Sequence, residues 1–229
     1  MPYVVGIDGC RGAWISVSME IDTQLLNWQK YLLLSELLKG AAGVEVAGID
    51  IPIGLPEKGP RDCDVKARKL LGKRGSSVFP APIRPVLGAK DYRNACDIRE
   101  RIEGKKMSQQ AWAIVPKIRE VDALLKRRFD LGSLLYEVHP EVSFYFMGGN
   151  EPNRFSKKKR LGIEERIKKL SPQFGISYSY VNTIRHEHGA SEDDVVDALA
   201  ALWSAVRIFH GKNTILQEDG IAEGPRIYA

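Results

Sequence analysis

Cysteine is scarce in this chain: three residues in 229, Cys10, Cys63 and Cys96, with no CxxC pair and one left over from any pairing. That pattern argues against a disulfide framework and against a cysteine-rich zinc site, and it predicts free thiols. Long apolar runs are missing too. No stretch approaches the roughly 18 to 20 residues that a membrane helix needs, so no membrane partner is expected. The opening MPYVVGIDG runs straight into a strand-like segment, without the basic flank and long apolar region of a secretory signal, and predicts a cytoplasmic protein. Neither an internal repeat nor a low-complexity segment interrupts the chain.

What the chain does contain is the balance of a globular protein, with 44% hydrophobic and 28% charged residues. Its length suits one large domain, residues 1–229, better than two. A net charge of +5 gives weak support to an anionic partner such as nucleic acid.

Tyr3–Asp8 (YVVGID) is a short apolar run closed by Asp8-Gly9, and Ala13–Glu20 (AWISVSME) partly alternates. They predict two strands joined by a tight glycine-containing turn. Gln24–Leu33 predicts a third strand, Ser35–Lys39 a short helix, and Val44–Ile51 a fourth strand closed by Pro52. A meander followed by a helical crossover implies a mixed sheet whose fourth strand lies parallel to the first. Residues 52–130 read as a helical and loop insertion, with helices over Asp64–Leu71 and 108–129, the second kinked or started by Pro116. Leu134–His139 predicts a fifth strand, Pro140–Phe146 a short helix or turn, 157–170 a basic helix, Ile176–Val181 a further strand, and 192–210 a final helix. In that last helix Val195, Leu199, Leu202, Val206 and Phe209 form one stripe, and Ala198, Ala201 and Ala205 a small-residue seam beside it. The expected class is α/β, a mixed five-stranded sheet flanked by helices.

The final helix opens with SEDDVVD. Ser191 can cap the free amides and first-turn acids suit the helix dipole, which would explain Asp193 and Asp194 without any chemistry. Asp194 and Asp197, three apart, also project to neighbouring directions. Asp8 ends the first strand and Asp50 the fourth; if these strands are parallel neighbours, both acids emerge at the carboxyl edge of the sheet. Each alone can be a turn or strand-end acid. Together with Asp194 and Asp197 they form a cluster that would repel or protonate unless a cation lies among them. Hard oxygen ligands suit magnesium or manganese.

The stretches GIDGCRGAW (6–14), GIDIPIGLP (48–56), RDCDVKARKLLGKRGSSVFPAPIR (61–84), SQQAWAIVPKIREVD (108–122), EVHPEVSF (137–144) and DDVVDALAA (193–201) resemble an uncharacterised family, a domain of unknown function, of predicted RNase H-like nucleases. The resemblance implies a fold like that of RNase H and the bacterial Holliday-junction resolvases, in which acids from the first strand, the fourth strand and the last helix hold two divalent ions. Carried to this chain, those acids are Asp8, Asp50, Asp194 and Asp197. Asp8 would anchor both ions, Asp50 one, and Asp194 with Asp197 the other, in a two-metal hydrolysis of nucleic-acid phosphodiesters, either DNA or RNA. The chain departs from many resolvases in carrying Asp50 where they carry Glu.

Other residues extend this expectation. Glu137 and His139 alternate on the fifth strand and suggest outer ligands or a proton relay. Arg11, Arg61, Arg74, Ser76, Ser77 and Arg84, with Gly75 among them, offer cations, hydroxyls and amides to a phosphate, although the loop is not a Walker A sequence. Lys117, in KIREVD, reads either as part of a solvated helix face or as a residue that approaches the acids as an outer partner. The run Lys157, Lys158, Lys159 and Arg160 reads either as a solvated face or as a nucleic-acid backbone contact. Two other functions fit the same sequence: phosphoryl transfer, because GIDGCRG resembles the first phosphate loop of actin-like sugar kinases, and a binding module without turnover.

Overall fold

The computed structural model describes residues 2–39, 42–218, 220 and 224–229. An antiparallel meander opens it: β1 (Tyr3–Cys10), β2 (Ala13–Glu20) and β3 (Leu26–Tyr31). The first turn is tight because Gly12, at φ +67°, takes a left-handed conformation that a side chain would strain. Helix α1 (Leu34–Lys39) crosses to β4 (Val44–Ile49), which pairs parallel to β1, and β5 (Leu135–Glu137) pairs parallel to β4. The sheet order is β3-β2-β1-β4-β5, a mixed five-stranded sheet in an α/β fold.

Between β4 and β5 the chain forms α2 (Asp62–Leu71), α3 (Tyr92–Glu103) and α4 (Gln109–Arg127), with short 3-10 segments at Gly72–Ser77, Arg84–Gly88 and, after α4, Phe129–Ser133. The sequence reading omits α3. Its apolar stripe is thin, burying only Ala95 and Cys96, and its start depends on Asp91 accepting the Asn94 amide. The Ser108 side chain caps α4, so Pro116 lies inside that helix and does not mark its start. After β5 come α5 (Pro140–Met147), α6 (Arg160–Phe174), α7 (Tyr178–His188) and α8 (Glu192–Phe209), then a ribbon of β6 (Ile215–Leu216) and β7 (Ile227–Tyr228).

Several predicted boundaries change. The strand expected over Ile176–Val181 is instead the start of α7: Ser177 accepts the Tyr180 amide as a cap, and Val181 and Ile184, three apart, bury one helical face. The third strand is shorter than predicted because Gln24 turns at positive φ and Leu32 and Leu33 are exposed in a bend. The basic helix begins at Arg160, leaving Lys157 to Lys159 in the preceding segment.

Alternation sorts the sheet into two faces. Val4, Ile15, Val17, Trp28 and Val46 pack with α6, α7 and α8. Val5, Ile7, Trp14, Ala47 and Ile49 pack with α1 and α4 through Leu37, Ile118 and Val121. Each large apolar side chain fully buried this way contributes about 1.5–3 kcal/mol. Asp8 shares the face of Val4 and Gly6, the face covered by α8. Among the described residues no helix is long and apolar enough to cross a membrane.

Candidate functional site

Three elements bring the aspartates together. Asp8 is near the end of β1, and Asp50 follows β4 with its amide donating to Ile7 O at 3.1 Å, which fixes the two chain ends side by side. Helix α8 lies across both strands. It sits close because Gly6 and Gly48 offer no side chain where the backbone at Ala198, Ala201 and Leu202 passes. The buried seam of Ala198, Ala201 and Ala205 keeps the approach short from the helix side. Asp8, Asp50, Asp194 and Asp197 consequently line one cleft of about 480 Å³, together with Arg11, Ser77, Lys117, His139, Glu141 and Lys157.

The four acids are not equivalent. Ser191 and Asp194 form a reciprocal capping box: the Ser191 hydroxyl accepts the Asp194 amide at 3.3 Å, and Asp194 Oδ2 accepts the Ser191 amide at 2.9 Å. Asp193 accepts the Ser191 hydroxyl at 2.7 Å. The first-turn acids therefore serve the helix end, with Asp194 also on the cleft wall. Asp197, one turn deeper, is 2% exposed and Asp8 is 7% exposed.

Crowding of charge in a desolvated place dominates the electrostatics. Burial, then the charges of Asp197 and Asp50, hold the Asp8 carboxyl well above the usual carboxylate range. Burial chiefly, with the Glu141 charge, pushes Asp50 up to about 6. Asp197 also rises to about 6, through burial and the Asp50 charge. The Lys157 ammonium pairs with Asp197 Oδ2. Burial works against that ammonium, but Asp197, Asp8 and Asp50 outweigh it and hold it charged. His139 is driven toward its neutral form by burial, and Lys117 is also pulled below its ordinary value by burial. Lys117 donates to Ala13 O and lies 4.1 Å from the centre of the Trp14 ring.

Does this set suit a divalent ion? Asp197 Oδ1 and His139 Nδ1 are buried polar atoms without a hydrogen-bond partner. Buried unpartnered oxygen beside two further carboxyls of raised pKa is a donor set short of positive charge, which hard cations complete. Among the described residues, however, no three His, Cys, Asp or Glu side chains are already drawn into a metal-holding group. The cation present in the cluster is the Lys157 ammonium.

Other predicted site residues lie elsewhere. Arg61 is 3% exposed and is committed to a buried network, with its guanidinium on Glu137 at 2.6 and 2.7 Å and on Asp64 at 3.1 Å. Neither Arg61 nor Glu137 reaches the cleft. Glu137 and His139 part company because β5 stops at Glu137 and the chain turns at His139 into α5, so strand alternation no longer holds between them. Arg84 pairs with Asp122 at 3.0 Å. Ser77 lines the cleft and donates to Arg74 O at 2.7 Å, whereas Ser76 and Arg74 are outside its lining. In the basic run, Lys157 turns into the acids, Lys158 pairs with Asp193, and Arg160 pairs with Glu164 and lies 4.8 Å from the Tyr178 ring centre. Lys159 is exposed at the start of α6.

The sequence reading passes over Glu141, which lines the cleft and is 4% exposed. Burial opposes its ionisation, but Arg166 beside it and the Asn153 amide hold it below its ordinary value. The signal was present in EVHPEVSF, where Glu141 opens the helix after the His-Pro turn.

A family model described as "Protein of unknown function (DUF429)" matches residues 6–220. No curated protein and no solved structure matches the chain.

Proposed function

From the premise that the chain belongs to the DUF429 family of proteins of unknown function, we propose that it is an RNase H-like, divalent-metal-dependent nuclease that hydrolyses phosphodiester bonds of DNA or RNA. The observation that carries this reading is the meeting of Asp8, Asp50 and Asp197, from β1, the end of β4 and α8, in one desolvated cleft with raised pKa values. Carboxyls arranged to be hard to ionise are a poor structural device and a good cation trap.

Asp8, Asp50 and Asp197 would hold magnesium or manganese, with Asp194 at the wall. A bound ion there supplies charge to an attacking water and to a leaving oxygen. The chain's own residues supply the remainder. Arg11, exposed in the β1–β2 turn, and Lys117 bring cations to the same cleft for phosphate oxygens. His139, neutral through burial and unpartnered at Nδ1, offers a place for a proton. Asp50 Oδ atoms reach less far than those of a Glu would, and the Asp50 amide donates to Ile7 O, which holds the residue beside β1.

The test is cleavage of labelled single-stranded, duplex and branched DNA and RNA with manganese or magnesium, beside a chelator control and the Asp8→Asn variant. Metal-dependent cleavage lost in the variant supports the reading. Nucleic-acid binding that persists without cleavage, and unchanged in Asp8→Asn, would replace it with a binding module; turnover of a nucleotide triphosphate onto a small acceptor would replace it with phosphoryl transfer.

A further inference from the structure

Lys157 is held too firmly to be an ordinary surface lysine that has fallen onto an acid. The segment that carries it is pinned residue by residue to α5 and α6. Asn153 donates to Glu141 at 3.3 Å, and the amides of Arg154 and Phe155 donate to Glu165 at 2.9 and 3.0 Å. Phe155 O accepts from Arg166 at 3.1 Å. The fully buried Arg166 guanidinium also donates to Gly162 O at 2.7 Å and to Glu141 at 3.1 Å. Gly162 is required at the bend, since a side chain there would run into Ser156 O and sit 3.1 Å from Lys157 N. From this anchored backbone the Lys157 side chain reaches Asp197 and the cleft shared with Asp8 and Asp50.

We propose that Lys157 is a resident cation of the acid centre, and that the centre accordingly takes one divalent ion where the resemblance to RNase H implies two. The inference rests on the metal-dependent reading above. Its charge logic is simple. With Asp194 engaged by the Ser191 amide at the helix end, the three carboxylates of Asp8, Asp50 and Asp197 are balanced by the ammonium and one divalent ion, whereas two divalent ions beside the ammonium would leave two positive charges in excess. Glu141 does not alter this balance, because Arg166 already answers it.

Manganese binding to the full chain decides the matter, measured by calorimetry together with spin-coupling between bound ions in electron paramagnetic resonance. The parent is expected to bind one manganese with no ion–ion coupling, Lys157→Arg also one, and Lys157→Met two coupled ions. Lys159→Ala, exposed and outside the cleft, serves as a control that binds as the parent does. Two coupled ions in the parent overturn the inference and leave the nuclease reading standing. A parent and a folded Lys157→Met that both bind a single ion also overturn it, because something other than Lys157 then limits the count. If Lys157→Met does not fold, Lys157→Gln, which also removes the charge, is read in its place with the same two outcomes. No manganese bound to parent or variants removes both this inference and the metal-dependent reading.

Discussion

Gly6 and Gly48 are paired across the parallel β1–β4 ladder, and the backbone of α8 rests on both. A Cβ on Gly48 would lie 2.7 Å from Ala201 O, and one on Gly6 would overlap Ala198 O and Leu202 N. These neighbours are helix backbone and cannot swing aside. The pair therefore sets the height of α8 above the sheet, and with it the distance from Asp197 to Asp8.

Gly6→Ala follows directly from this contact. Overpacking against rigid backbone is expected to lower stability by about 3 kcal/mol or more, above the common range for one added methyl group. Lifting α8 also separates the acids, so manganese affinity falls in whatever fraction still folds. Urea denaturation and manganese titration of the variant check both parts. Parent-like stability would mean that α8 does not sit on Gly6 as described.

Arg61 gives a second expectation, opposite in kind from a phosphate contact. Removing one partner of a buried ion pair leaves Glu137 and Asp64 unanswered, so Arg61→Leu is expected to lose about 3–5 kcal/mol. Its manganese-induced stabilisation remains, since the network lies outside the cleft. A variant as stable as the parent but weakened in nucleic-acid binding would return Arg61 to the role that the sequence suggested.

Arg11 is the exposed cation at the cleft mouth. If it contacts a phosphate, Arg11→Ala weakens binding about equally for all sequences and lowers the slope of log K against log salt by about 0.9 on duplex DNA, or about 0.7 on single strands. Fluorescence anisotropy over a salt series measures this. An unchanged slope assigns Arg11 to solvent.

How far the sequence speaks for this molecule depends on the range of the interaction. The meander and the parallel β1–β4 pair follow from short apolar runs, turn residues and a crossover, all local signals, so the meeting of Asp8 and Asp50 was legible. The alanine seam of α8 likewise announced a close approach. Ile176–Val181 was misleading because six residues hold too little of a period to separate a strand from a capped helix. The basic run was misleading for a different reason: the direction of Lys157 is set by Gly162, Glu165, Arg166 and Glu141, which sit on two other helices. Arg61 and Glu137, 76 residues apart, form a pair that only the folded sheet brings together.

Asp50 provides a pH test whose sign can be worked out. Its folded pKa of about 6 lies above the ordinary carboxylate value, so the folded state holds the proton more tightly than the unfolded chain. The resulting stability is present at acid pH and is lost as pH rises from about 4 to about 6. Asp50→Asn, which cannot ionise, is expected to gain on the parent across that window by on the order of 1–3 kcal/mol and to hold the gain above it, in the absence of divalent metal. Thermal melts from pH 4 to 8 with chelator present measure the difference. A gap that stays flat across the window would show that Asp50 is not desolvated as described.

The last expectation joins stability to metal at Asp8. Burial first, and then three neighbouring carboxyls, disfavour its charge, so Asp8→Asn without metal should melt at or slightly above the parent temperature. Metal reverses the order. An ion that binds only the folded state stabilises it by RT ln(1 + [L]/Kd), about 2.7 kcal/mol at a hundredfold excess over Kd. For a domain of this size that amounts to about 5–10 °C in Tm. The parent is expected to show this rise in millimolar manganese, and Asp8→Asn to lose most of it. A variant that keeps the full rise places the ion away from Asp8. One that melts far below the parent in chelator makes Asp8 a structural residue at the end of β1, and in either case the acid centre proposed here loses its central ligand.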